Sequence, residues 1–190
     1  MSKYQDGSLD SINRIAEAYY NERNYDLALE HYKKLLDIKE KVLGKEHPDT
    51  ATIYNNIAQA YNEKGNYYTS VVFSDGHHTI SEAVYLSKDH YDRALEFYTK
   101  ALAGREKVLG KEHPDTATTY YNLGYLYHCQ VKYNQALDYY KKSYVIRKKV
   151  LGKAHPLTKQ TLNDMARAYE KSGNPEPFEA WLKKTLPKSQ

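Results

Sequence analysis

The chain has few of the residues that staple a small domain or carry chemistry. A single cysteine, Cys129, excludes an internal disulfide framework and fits a reducing compartment. One tryptophan, two methionines and three phenylalanines leave little apolar bulk outside the aliphatics and tyrosine. No phosphate-cradling glycine loop, nucleophile elbow or metalloprotease helix occurs, so no catalytic residue, metal site or cofactor is expected. No apolar run is long enough to span a membrane, and the stretch from Met1 to Arg14 has no apolar core of a signal peptide. The expectation is a cytoplasmic protein that is not an enzyme.

What is abundant is tyrosine, at 21 of 190 residues. With 41% hydrophobic residues and a mean hydropathy of −0.85, the core must lean on rings that bury their faces and keep a polar tip. The net charge of +4 is mild and names no partner.

The sequence also repeats itself. Lys41–Ala51 reads KVLGKEHPDTA, Lys107–Ala117 repeats it letter for letter, and a worn copy from Lys149 reads KVLGKAHPLTK. The glycines Gly44, Gly110 and Gly152 stand 66 and 42 residues apart, so one repeat carries 24 extra residues. A fixed period of this size predicts an array of stacked units.

Within each unit the apolar positions recur at helical spacing. Ile12, Ile15, Ala16 and Tyr19 predict a helix from Ser8 to about Asn21. Tyr25, Ala28, Leu29, Tyr32, Leu35 and Leu36 predict a second helix that runs to Leu43 and stops at Gly44. His47 is held extended by Pro48, which opens the next helix, and Asp49 and Thr50 suit its first turn through capping and the helix dipole. The grammar returns with Tyr54, Ile57, Ala58 and Tyr61 before a stop at Gly65, and with Tyr120, Leu123, Gly124 and Tyr127. Leu162, Met165, Ala166 and Tyr169 follow before Gly173. A short last helix, PEPFEAWLKKTL, places Trp181 and Leu182 where Tyr140 and its equivalents stand and is expected to seal the array.

These units resemble the tetratricopeptide repeat (TPR). Its large–small pair on helix A is matched by Ile15/Ala16, Ile57/Ala58, Leu123/Gly124 and Met165/Ala166, and its small residue on helix B by Ala28, Ala94 and Ala136. The 42-residue period and the wording GREKVLGKEHPDTATTYYNLG at Gly104–Gly124 are similar to the kinesin light chain subtype, which does not of itself imply a motor. The resemblance implies an all-α fold, a right-handed α-α superhelix of about four helix pairs. It would form a single domain over 1–190 with repeats at about 8–48, 49–114, 115–156 and 157–187. Departures from the pattern are Arg23 and Val131 where helix A ends on Gly65 or Gly173, and Gly104 where Ile38 and Ile146 stand. A β-branched valine is a poor left-handed residue, and a glycine inside a helix predicts a bend or fraying.

The 24 extra residues fall at 67–90, between helices A and B of the second repeat. A Thr79-x-x-Glu82 capping box predicts that helix B is extended from about Thr79, with Tyr68 to Phe73 lying back across it. A hairpin closed by Asp75–Gly76 is the alternative. Val71, Val72, Phe73 and Tyr85 then either form a docking or dimerisation surface or cover one another in a tolerated loop.

Two further clusters read as structural. His77, His78 and His90 lack accompanying acidic or cysteine ligands, and His47, His113 and His155 belong to the turn. The basic stretch Lys141–Lys159, with seven Lys or Arg and no acid, reads as a solvated face; attraction of nucleic acid or an acidic partner is the alternative, and nucleic acid is not the expected partner.

The family resemblance directs attention to the concave face of the A helices. Carried over by position, that face holds Asn13, Glu17, Asn55, Asn56, Gln59, Asn62, Tyr121, Asn122, Tyr125, His128, Asn163 and Arg167. Asparagine amides donate and accept, so they can hold an extended peptide by its backbone, or else cross-link neighbouring helices. Arg167 is the one clear cation of this set, so an acidic-cargo preference is not implied. The expectation is a non-catalytic interaction module for a peptide or partner helix. The alternative is a self-assembling structural or designed repeat module that forms homo-oligomers through the insertion or an open end.

Overall fold

The computed structural model describes the backbone of residues 3–75 and 80–186, with side chains over 7–68 and 87–186. Its described residues form eight α-helices and no strand: α1 Lys3–Asn21, α2 Tyr25–Leu43, α3 Pro48–Asp75, α4 Ile80–Val108, α5 Pro114–Cys129, α6 Tyr133–Leu151, α7 Pro156–Lys171 and α8 Phe178–Thr185. They make two compact units, Met1–Val108 with α1 to α4 and Leu109–Gln190 with α5 to α8.

The repeated phrase folds as helix punctuation. Gly44, Gly110 and Gly152 end their helices at φ 87°, 91° and 85°, a region that side chains rarely enter. At Gly44 and Gly152 ψ is near 160°, so the stop is an extended, glycine-only geometry and not the left-handed helical cap. The N-cap is the histidine: Nδ1 of His47, His113 and His155 accepts the amides of Asp49, Asp115 and Leu157 at 3.1, 3.1 and 3.2 Å. The capping expected of Asp49 and Thr50 is thus taken by a ring that Pro48 holds extended. The phrase also ties its copies together, since Lys107 pairs with Glu46 at 2.6 Å in the first unit. Lys149 pairs with Glu112 at 2.6 Å in the second.

Every helix pair makes a ring contact at the same repeat position, among others. Tyr19 meets His31 at 5.4 Å between centroids, Tyr61 meets Phe97 at 6.0 Å, Tyr127 meets Tyr139 at 5.5 Å and Tyr169 meets Trp181 at 4.8 Å. Trp181 therefore plays the part of Tyr139, while Leu182 stands at the position of Tyr140. Around these rings the first unit buries Ala16, Ala28, Leu35, Ile57, Ala58, Ala94 and Tyr98, and the second buries Ala136, Leu137, Tyr140, Tyr144, Met165 and Ala168. Burial of each such large side chain contributes about 1.5–3 kcal/mol. In the first pair the large member, Ile15, is 44% exposed, whereas Ile57, Leu123 and Met165 are fully buried.

Three expectations need correction. Gly65 does not stop helix A: α3 runs through it to Asp75, and a Cβ at Gly65 would stand 2.8 Å from the Tyr91 ring. The glycine serves close packing of α4 and not a turn. Residues 68–73 do not lie back across helix B, and no β-hairpin forms there; they continue α3, while α4 begins at Ile80 as expected. The insertion therefore lengthens both partners, to 28 and 29 residues, and Thr79 with its proposed capping role lies outside the described residues. α4 runs unbroken through Gly104, where a Cβ would meet the Glu46 carbonyl at an ordinary 3.4 Å. The two non-glycine replacements do carry strain, with Arg23 and Val131 both at φ 61°.

Candidate functional site

The expected face divides between the two units. In the first, α1 and α3 supply Asn13, Glu17, Asn56 and Gln59 at partly or fully exposed positions. Asn13 donates to Glu17 Oε1 at 2.7 Å across one helical turn. It also lines a surface hollow of about 160 Å³ with Asp10, Leu35, Lys39, Asp49 and Thr52. Asn55 and Asn62 are buried, at 5% and 1% exposure, and so is Asn122 in the second unit. Their amides therefore sit within the helix packing, off the accessible surface.

The second unit brings its residues together through one network between α5 and α7. Tyr121 donates its phenol to Asp164 Oδ2 at 2.7 Å and accepts from Gln160 Nε2 at 2.9 Å. The Arg147 guanidinium lies 4.7 Å from the Tyr121 ring centroid, and Arg167 donates to the other Asp164 oxygen at 3.3 Å. Burial, and then the Asp164 carboxylate, push the Tyr121 phenol well above the ordinary tyrosine range. Tyr121 is thus a fixed neutral donor at physiological pH. It holds Asp164, whose side chain is 20% exposed, while the Arg167 side chain stays 73% exposed.

Beside this network α5 presents Tyr125, 36% exposed, and His128, partly buried with its edge against Tyr133 at 5.3 Å. Desolvation first, then Lys171, hold the His128 imidazole below its ordinary value, with Asp164 pulling the other way and Arg167 adding to the depression. The ring is therefore neutral at physiological pH and can accept as well as donate. Asn163 is exposed on α7. Tyr125, His128, Asn163 and Arg167 thus offer mixed donors, acceptors and two rings at partly or fully exposed positions beside the Tyr121–Asp164 pair. Such groups can form hydrogen bonds and offer ring faces for stacking.

Asp164, Gln160 and Arg147 join the candidate site only through the fold. A signal for Asp164 existed, since it stands 42 residues after Asn122 and so occupies the position of Asn56 and Asn122. Arg147 was hidden in the basic stretch read as a solvated face. It is in fact buried, donating to Leu157 O at 3.3 Å and to Thr161 Oγ1 at 2.8 Å. Val71, Val72, Phe73 and Tyr85 fall on the helical extensions of α3 and α4. His90 is buried against the Tyr61 and Tyr68 rings, and His77 and His78 lie outside the described residues.

Comparison with known proteins adds three findings. The sequence profile of the tetratricopeptide repeat matches residues 8–68, 83–149 and 130–188. Clustered mitochondria protein homologs are similar in part: that of Candida albicans is 28% identical over 140 residues, and that of Debaryomyces hansenii 26% over 148. These matches take in 64% and 66% of this chain but 10% and 11% of the relatives, so the chain spans about a tenth of their length. Among solved structures, BtubC (BKLC) from P. vanneervenii superposes with a TM-score of 0.71 at 22% identity, over 93% of this chain and 61% of the other. TPR-like repeats of a Podospora anserina protein described as a kinesin light chain give 0.68 at 22% identity, over 87% and 67%. Likeness at this level of identity shows a shared helix-pair repeat fold.

Proposed function

The chain belongs to the tetratricopeptide repeat family, a family of protein-interaction scaffolds, and from that premise we propose that it is a non-catalytic module binding a peptide or partner helix on its A-helix faces. The observation that carries this reading is the Tyr121–Asp164 bond. It anchors an accessible strip of Tyr125, His128, Asn163 and Arg167 on a rigid support, and pre-organised donors lose little freedom on binding. The amides of Asn13, Asn56 and Gln59 offer the first unit's counterpart, suited to a peptide backbone. The single thiol suits a cytoplasmic setting, and no helix among the described residues is long and apolar enough to cross a membrane.

The test is capture of partners on the full chain, compared with a Tyr125→Ala/Arg167→Ala variant and an Asn56→Ala/Gln59→Ala variant. Loss of partners with unchanged circular dichroism supports the reading. Retention of every partner by both variants overturns it.

A second reading, self-association, is favoured by the continuous extension of α3 and α4. Light scattering on the full chain and on a form lacking residues 67–90 decides it. A monomer in both cases sinks the idea.

A further inference from the structure

The three copies of the repeated turn are an internal control, because they share one geometry and differ in charge. Their glycines lie within 6° of one another in φ, and the same histidine cap is formed in each. Residues 39–51 carry three cations and three anions, and so do residues 105–117. Residues 147–159 carry five cations and no anion. Lys148 replaces Glu40 and Glu106, Ala154 replaces Glu46 and Glu112, and Leu157 replaces Asp49 and Asp115. Lys159 replaces Ala51 and Ala117, which are fully buried, yet Lys159 is exposed.

Folding does not account for these changes. The turn forms equally well with the acids present, as the first two copies show. Lys148, Lys153 and Lys159 are exposed, with no carboxylate partner among the described residues. Leu157 is 40% exposed where an aspartate stands in the other copies, and it adds to the exposed valine that all three copies share as Val42, Val108 and Val150. Arg147, bonded to the Leu157 carbonyl, locks the end of α6 to the start of α7, so the surface is rigid.

We propose that the α6–α7 turn is a docking surface for an acidic protein segment that also carries an aliphatic side chain. Within each unit a lysine of this same phrase already takes a carboxylate from a neighbouring turn, at Lys107–Glu46 and Lys149–Glu112. The third turn keeps the cations and has shed the acids that would repel such a segment. The acids of the other two turns do not supply the segment, because Glu46, Glu112 and Asp49 are engaged with Lys107, Lys149 and Lys39. Nucleic acid would use the lysines but not Leu157 and Val150, and the turn exposes no tyrosine, phenylalanine or tryptophan for bases to stack on. This surface is separate from the A-helix strip and does not rest on it.

The test is fluorescence anisotropy of the full chain with a labelled peptide of glutamates and leucines, its glutamine counterpart, a single-stranded RNA and phosphatidylserine vesicles. A Lys148→Glu/Ala154→Glu/Leu157→Asp/Lys159→Ala variant rewrites the third turn as the second, a sequence that folds in this chain. We expect the acidic peptide to bind and the glutamine peptide not. The variant should bind about tenfold or more weakly, the sum of several exposed ion pairs and one apolar contact. Leu157→Ser alone should also weaken binding, while the Tyr125→Ala/Arg167→Ala variant should leave it unchanged, separating this surface from the strip. A Lys148→Glu/Lys159→Gln form repeats the measurement with two surface changes only. Equal binding by the rewritten turn overturns the proposal. So does RNA or vesicle binding that matches the peptide and ignores Leu157→Ser.

Discussion

The ring of Tyr140 lies flat against α5 at Gly124, so close that a Cβ there would stand 2.6 Å from its Cδ1. Tyr140 is fully buried, with no room to retreat. Gly124→Ala is therefore expected to destabilise by about 1–3 kcal/mol through overpacking, in spite of alanine's better helix propensity. Gly104→Ala is the opposite case: its nearest neighbour would be the Glu46 carbonyl at 3.4 Å, an ordinary contact. That change should stabilise by about 0.4–1 kcal/mol. Urea unfolding of the two variants beside the parent chain measures both signs.

Val131, at φ 61° and 67% exposed, loses nothing by packing and strains its backbone. Val131→Gly should stabilise by about 1 kcal/mol, the cost of a side chain in the left-handed region. Arg23→Gly should do the same by a smaller margin. The reverse change, Gly173→Val at φ 73°, should destabilise. Thermal melts of all three variants check the series.

Burial raises the phenols of Tyr20, Tyr54, Tyr121 and Tyr140 well above the ordinary value of 10.0, and lifts Tyr32 to about 12. A folded pKa above the unfolded one means the native state holds protons that the unfolded state has released. Stability from these groups is complete below pH 10.0 and is lost as pH rises through the folded values. Alkaline unfolding should begin above about pH 10, the unperturbed phenol value, and the tyrosinate absorbance of these five rings should rise with it. Full ionisation of all 21 tyrosines with the helix signal intact would contradict this.

Trp181 is the chain's one tryptophan and sits on α8, whose eight residues include none that is fully buried. Isolated helices shorter than about 12 residues are marginal, so α8 depends on the contacts of Trp181 and Phe178 with Tyr169. Tryptophan fluorescence should change at lower urea than far-ultraviolet circular dichroism, reporting local release of α8. Coincident transitions would place α8 in the same cooperative unit as α7.

Most helix boundaries were legible because their signals are local. Gly44, Pro48, Gly110 and Pro114 act through their own dihedral angles, which no distant partner needs to supply. Gly65 was misread because glycine answers two needs, a positive φ or a close approach, and only the position of Tyr91 tells them apart. The same ambiguity made Gly104 look like a weak point. The candidate strip on α5 and α7 follows from repeat position, but the bond beneath it does not. Tyr121 and Asp164 are 43 residues apart, and nothing local in either announces the bond.

By itself the amino-acid sequence determined the repeat, its period, about four helix pairs and the recurring aromatic positions. These follow from periodicity and from residues whose preference is intrinsic. Tertiary structure alone decided which asparagines are buried, that Arg147 is a packed donor and not a solvated charge, and that the insertion lengthens two helices. It also showed that the three turns share one shape, so their difference in charge is not required by the turn. Burial and pairing depend on what lies across the fold, and that is a property of positions in space.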